Sequence, residues 1–438
     1  MAEGRRFFAP QAWVGGGWAQ DVLLVAGADG LWSEVRANCP DAQRQGAEVL
    51  HGAVLPGLVN AHSHAFQRAI AGLTERSPVG AQDDFWSWRD RMYRVALRTT
   101  PQELERIAAF LYAELLRNGY TQVCEFHYLH NDTDGKPYAD PLEMSLALVR
   151  AAQAVGIGLT LLPTLYMRSG FGARGLRDDQ RRFASTPESV LRIAEAVRAL
   201  GAGTHLLTAG VALHSLRAVD EGALRETAQA AAAAGMPIHL HIAEQQQEVE
   251  DCLKHHGQRP IEWLLERLPV DAGWNLVHAT QATPQELKAV RETGASIVLC
   301  PTTEANLGDG VFDLPTWLQV AGRWSIGTDS HVGRSWSEEL QLLEYSQRLV
   351  RRERNVAARA AGHDSTAAVL FEGALAGGSA AAGLPLGGLE RGARADWQQL
   401  MPPANPAPWS TPDHVLDAAL FSPSEQSVHR VAVAGKAV

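Results

Sequence analysis

What most constrains this chain is a pattern that repeats from about residue 54, in which short apolar runs suited to strands alternate with amphipathic helical stretches. The strand-like runs are VLPGLVNAH, YTQVCEFHY, GLTLLPTLY, LTAGVALHS, MPIHLHIAE, WNLVHAT, ASIVLCPT and WSIGTDSH. Between them fall helical patterns such as PQELERIAAFLYAELLRNG and ESVLRIAEAVRALG. Capping boxes on proline starts, Thr100-Pro101-Gln102-Glu103 and Thr283-Pro284-Gln285-Glu286, predict two helix beginnings, and Gly119 predicts a helix end. Strands alternating with helices in this way leave two folds, a closed (β/α)₈ TIM-type barrel or an open doubly wound sheet. An open sheet usually carries a glycine-rich phosphate turn after its first strand. Here that strand runs instead into Asn60-Ala61-His62-Ser63-His64. Polar residues also close many different strands, where a barrel assembles its site, so the α/β barrel is the reading.

The flanks differ from this repeat. Residues 1–53 and 386–438 hold short β-like pieces with too little apolar surface for cores of their own, and they are expected to pair into one small β-sandwich beside a 54–385 barrel. The proline-rich stretch 402–412 is expected to be a surface connection. A formal charge of −10 argues against nucleic acid or an anionic membrane as a general partner. The four cysteines, Cys39, Cys124, Cys252 and Cys300, form no CxxC pair, and Cys124 and Cys300 sit in apolar runs as core residues would. No stretch reads as a signal peptide or a membrane span, which makes a cytoplasmic enzyme the default expectation.

Histidines and acids at the strand ends carry the chemistry. His62 and His64, two apart on a strand, share a face near the barrel mouth and could hold one cation between neutral imidazoles. His239 and His241 repeat that spacing on the fifth strand. His241 is nearer the mouth and the better ligand, with His239 one layer deeper. Glu244 follows just past that strand, His278 ends the sixth and Asp329 ends the eighth. Core packing alone does not put so many such residues at the strand ends of one barrel.

This order of residues resembles the deaminase branch of the amidohydrolase superfamily. Two longer strings, Asn60-Ala61-His62-Ser63-His64-Ala65-Phe66-Gln67-Arg68 and Cys300-Pro301-Thr302-Thr303-Glu304-Ala305-Asn306-Leu307-Gly308, are similar to the formimidoylglutamate deiminases of bacterial histidine breakdown. The similarity is strong over about residues 50–345 and looser over the flanks. It implies hydrolysis of N-formimidoyl-L-glutamate to N-formyl-L-glutamate and ammonia by a homodimer with one zinc, or Fe(II), in each subunit. The implied ligands are His62, His64, His241 and Asp329, and the implied catalytic groups are Glu244 and His278 together with Asp329. The implied substrate-holding residues are Gln67, Arg89, Tyr128, His214 and Arg217. The fourth strand, VALHSLRAV, lacks the lysine that bridges two metals in other branches, in keeping with a mononuclear site.

A dicarboxylate substrate needs cationic donors inside an acidic protein, and arginine binds carboxylate through two parallel hydrogen bonds. Arg217 lies three residues past His214 at the mouth. Arg89 follows Phe85-Trp86-Ser87-Trp88 in what is expected to be a long loop able to close over the substrate. His127 is expected to turn away from Tyr128 and His331 to line the rim, neither with a role. Two other readings remain open: a deaminase of a purine, pterin or triazine ring, and a non-catalytic barrel that binds without chemistry. The first would want stacking surfaces and few cations. The second would usually have lost metal ligands, and none is missing.

Overall fold

The computed structural model describes residues 4–76, 83–400, 414–423 and 428–438; the proline-rich stretch 402–412 lies outside them. Parallel strands form at all the anticipated places: Leu58–Ser63, Tyr120–His127, Gly158–Leu165, Val211–Ser215, Ile238–Ile242, Trp274–His278, Ser296–Leu299 and Arg323–Ile326. They pair in chain order from first to eighth, with the short strand Leu207–Ala209 beside the third. The second and third strands are buried at every position, which is why they read as apolar runs with no alternation.

The ring closes at its C-terminal mouth. A bridge joins Ser63 to Asp329, where the His64 N–H donates to the Asp329 carbonyl (3.2 Å) and the Asp329 N–H to that of His62 (3.0 Å). Just below, Asn60 and Thr328 pair reciprocally in the core: Asn60 Nδ2 donates to Thr328 Oγ1 at 2.7 Å, and the Thr328 N–H to Asn60 Oδ1 at 2.9 Å. Gly327 permits this approach, because a Cβ there would lie 2.6 Å from His62 Cβ and 2.7 Å from its nitrogen. The first and eighth strands, both carrying strand-end residues, are thereby fixed in register.

Both capping boxes form as read. Glu103 accepts the Thr100 N–H at 2.8 Å while Thr100 Oγ1 accepts that of Glu103 at 3.2 Å, opening the helix Pro101–Arg117. Thr283 and Glu286 do the same for the helix Pro284–Thr293. The helix Thr366–Ala382 ends against the deep part of the barrel, where the Ala381 carbonyl accepts from His239 Nε2 and that of Ala382 from Thr160 Oγ1.

The two flanks meet in one eight-stranded sheet. Arg5–Val14 and Gly17–Ala26 form a hairpin through Gly15 and Gly16, both with positive φ as a tight two-residue turn requires. The strand Ala53–Pro56 then pairs with Trp397–Leu400 from the C-terminal part of the chain. The sheet encloses a small core of its own, with the Phe7 ring edge-on to Trp397 at 5.5 Å and to Trp32 at 6.5 Å. All four cysteines are buried and free. Among the described residues no helix is long and apolar enough to cross a membrane.

Candidate active site

Strand-end residues from the first, fifth, sixth and eighth barrel strands converge at the mouth. His62 Nε2 lies 3.0 Å from His241 Nε2 and 3.5 Å from Asp329 Oδ1, and His64 Nε2 lies 3.4 Å from that same oxygen. Donors bound to one zinc at about 2.1 Å sit roughly 3.0–3.5 Å from one another, so these spacings suit a shared cation. The tautomers suit it too. His64 Nδ1 lies 2.9 Å from the Phe126 carbonyl and His241 Nδ1 2.9 Å from that of His214. A carbonyl only accepts, so each Nδ1 carries the hydrogen and each Nε2 turns a lone pair inward. His62 Nδ1 has no partner among the described residues. Burial is the largest cause of a lowered pKa in all three histidines, which favours the neutral, ligating form.

Ligand-capable atoms among the described residues group as three overlapping trios, His62 with His64 and Asp329, His62 with His241 and His278, and His278 with Cys300 and Glu304. His278 is distinguished by its other neighbours. Its Nδ1 is 3.2 Å from Glu304 Oε1, and its Nε2 is 3.8 Å from both Glu244 Oε1 and Asp329 Oδ2. Burial alone would depress His278, but Glu244, the Glu304 hydrogen bond and Asp329 outweigh it and push the imidazole up to about 10. Glu244 moves up as well, raised by burial against the pull of His278 and Arg217. His278 and Asp329 both hold positive φ, at 70° and 47°, a backbone state that costs about 1–3 kcal/mol and gathers at functional sites.

Glu125, on the second strand, holds the His62–His64 segment in place. It accepts from Ser63 Oγ and from the Ala65 N–H, both at 2.6 Å, and from the Tyr112 hydroxyl at 3.2 Å. Burial raises it to about 7 despite those bonds. His331, expected at the rim, is fully buried instead, with Nδ1 2.9 Å from Thr328 Oγ1 and Nε2 3.3 Å from Ser63 Oγ. The positive φ at Asp329 and at His331 turns the chain back under the mouth. His239 is one layer down on the Ala381 carbonyl, and His127 faces His130 at 5.3 Å, away from the pocket.

The expected substrate-holding residues, Gln67, Arg89, Tyr128, His214 and Arg217, all line the same pocket as His64, His241, Glu244, His278 and Asp329. Gln67 Nε2 donates to the Tyr128 hydroxyl at 3.0 Å. Arg217 reaches Glu244 at 3.9 Å and lies over the Trp86 ring at 5.4 Å. Arg89 lies over the same ring at 4.5 Å, and Nε of each arginine is buried without a partner among the described residues. Arg89 departs from expectation in one respect. It rides on the helix Phe85–Ala96 and not on a loop, because Asp84 caps that helix by accepting the Trp86 and Ser87 N–H groups at 3.0 Å. Trp88 of the aromatic cluster lines the pocket, as do Tyr93 and Tyr166, which the sequence did not single out. A larger hollow of about 900 Å³ near Arg117, Trp336 and Arg430 lies by the opposite strand ends and contains none of these groups.

Residues 53–438 match the profile of the amidohydrolase family. The chain belongs to the amidohydrolase family. It is 48% identical to the formimidoylglutamate deiminase of Pseudomonas aeruginosa, over 98% of this chain and 93% of that one. A crystal structure of an amidohydrolase from Brucella melitensis superposes with a TM-score of 0.91 at 42% identity, covering 99% of this chain and 94% of the other. More distant is a 5-methylthioadenosine/S-adenosylhomocysteine deaminase of Halobacterium salinarum, 27% identical over 86% of this chain and 79% of that protein. Members of this family commonly hold a divalent metal, and the cluster around His62 offers the donors for one.

Proposed function

We propose that this amidohydrolase converts N-formimidoyl-L-glutamate and water into N-formyl-L-glutamate and ammonia. The observation that carries the reading is the composition of the pocket. A metal-competent cluster with two proton-handling groups faces a wall whose unpartnered atoms include two guanidinium nitrogens, as a dianionic amidine would want. The high identity to a formimidoylglutamate deiminase supports it. Rings lining the pocket favour a heterocycle deaminase as the second reading, but the unpartnered Nε groups of Arg89 and Arg217 would then face a neutral ring that offers them no carboxylate.

In this reading His62, His64, His241 and Asp329 would hold one zinc, which would supply Lewis acidity and lower the pKa of a nearby water. Asp329 and His278 orient the attacking water and Asp329 takes up its proton, the two side chains lying 3.8 Å apart. The oxygen joins the formimidoyl carbon, and Glu244 relays both of the water's protons to the terminal nitrogen, first the one lost at attack and then the one shed by the new hydroxyl, so that ammonia leaves as the C–N bond breaks. His278, charged beside Glu304, steadies the negative charge that develops on the oxygen. Gln67, Arg89, Tyr128, His214 and Arg217 hold the two carboxylates and fix the substrate's pose. Four unpaired cysteines support a reducing, cytoplasmic setting, and we place the enzyme there as a homodimer.

The test is ammonia release from N-formimidoyl-L-glutamate by purified, metal-loaded protein, with N-formimidoyl-L-aspartate and guanine as comparisons. Selective release from the glutamate compound is the expected result, and release from guanine alone would overturn it. For the metal, His62→Ala and His241→Ala are expected to hold less than about a tenth of the zinc bound by wild type, measured by elemental analysis after dialysis. Stoichiometric zinc in both variants would remove these two residues from the ligand set.

A further inference from the structure

One layer further from the strand-end histidines than Tyr128 and His214, three side chains from separate segments meet. The Tyr128 ring stands 5.1 Å from His64 and the His214 ring 5.2 Å from His241. Tyr166 packs behind them, 4.2 Å from His214 and 6.4 Å from Tyr128, and its hydroxyl is 3.3 Å from that of Tyr93. Gln180 lies beneath both hydroxyls.

The Gln180 amide oxygen accepts the Arg177 N–H at 3.1 Å, which fixes the amide orientation and turns its NH₂ toward the tyrosines. That NH₂ donates to Tyr166 Oη at 2.9 Å and to Tyr93 Oη at 3.1 Å, using both of its hydrogens. The contact between the two hydroxyls uses one hydroxyl hydrogen. The second hydroxyl hydrogen has no acceptor among the described residues, and both tyrosines line the pocket. The Arg89 guanidinium lies 5.5 Å from the Tyr93 ring, with its Nε also unpartnered. This corner therefore offers a ligand one free hydroxyl hydrogen and the Arg89 guanidinium, with a single hydroxyl lone pair left over.

We propose that Tyr93, Tyr166 and Gln180 form a specificity element that binds the substrate's side-chain carboxylate and rejects the matching carboxamide. This rests on the reaction proposed above, and it assigns the more remote of the two carboxylates because the trio lies in the outer layer. A carboxylate oxygen accepts the free hydroxyl hydrogen. A carboxamide can meet it only with its oxygen, and its NH₂ then has a single lone pair for two hydrogens beside the Arg89 guanidinium. Either hydroxyl alone can still present a hydrogen, since Gln180 continues to donate to it, so the element fails only when both are lost or when its polarity is reversed.

Binding of N-formyl-L-glutamate and of N-formyl-L-glutamine to the metal-loaded protein, measured by calorimetry, tests this. The variants are Tyr93→Phe, Tyr166→Phe, the double variant and Gln180→Glu. In the last, a carboxylate replaces the amide at similar size and takes up both hydroxyl hydrogens. The double variant and Gln180→Glu should each bind the glutamate compound at least about tenfold more weakly, with the glutamine compound changed less than about threefold. Each single tyrosine variant should lose less than about threefold. Unchanged binding in both the double variant and Gln180→Glu, or equal losses for the two ligands, would overturn the proposal. Ammonia release by wild type together with unchanged variant binding would leave the reaction standing and remove this element. Carboxylate-selective loss of binding without ammonia release by wild type would keep the element and remove the reaction.

Discussion

Replacing Glu244 by glutamine is expected to lower kcat for ammonia release by roughly a thousandfold, while zinc content and melting temperature stay close to those of wild type. The side chain is well placed for proton delivery. It stands 3.8 Å from His278 and 3.9 Å from Arg217, and its backbone N–H is held by Glu248 at 3.1 Å. Burial raises its pKa, so a proton rests there more readily than on an exposed carboxylate. Glutamine preserves the shape and the capacity to accept from Arg217, but it cannot give up a proton and take one back. Since Glu244 lies outside the proposed ligand set, the loss should fall on kcat with little change in KM. Steady-state kinetics alongside elemental analysis decides it. A variant keeping more than a tenth of wild-type kcat with zinc bound would show that another group protonates the leaving nitrogen.

The barrel was legible because its strands are buried on both faces and its helices begin with side-chain caps, both of which leave local patterns. The metal-competent cluster was legible for a related reason: strand ends place His62, His64, His241 and His278 at known heights, so position along a strand stands in for position in space. What could not be read is whatever depends on contacts between distant segments. Glu304 was visible only inside a longer string. Its hydrogen bond to His278 exists because the turn after the seventh strand aims a short helix at the sixth. Tyr93, Tyr166 and Gln180 come from a helix, the exit of the third strand and a 3₁₀ turn, and no spacing rule joins them. The segment around Arg89 is a helix where a loop is expected, and the signal for it is local, since Asp84 and Ser87 form a capping box. Strand alternation continued past Asp329 would put His331 at the rim, but positive φ at Asp329 breaks that alternation and buries it.

The paired substitution Arg89→Met with Arg217→Met is expected to cut kcat/KM for N-formimidoyl-L-glutamate by about 10²–10⁴. A hydrogen bond to a charged group contributes about 1.5–3 kcal/mol, or roughly ten- to a hundredfold for each arginine, and losses at separate carboxylates should nearly add. The two single variants should differ in kind. Arg89 stands on Trp86 and is otherwise free to meet a ligand, so its loss should appear mainly in KM. Arg217 also lies 3.9 Å from Glu244, so its loss removes a positive charge from beside the proton donor and should lower kcat too. Methionine fills much of the same volume, which separates lost charge from lost packing. Assaying guanine in parallel gives the contrast that matters. If the double variant kept its activity on the formimidoyl compound, the pocket would not be reading carboxylates. If it gained activity on the neutral ring, the arginines would be what excludes heterocycles from a barrel whose aromatic walls could otherwise accept them, and one pair of charges would account for the division between the two kinds of deaminase that this chain resembles.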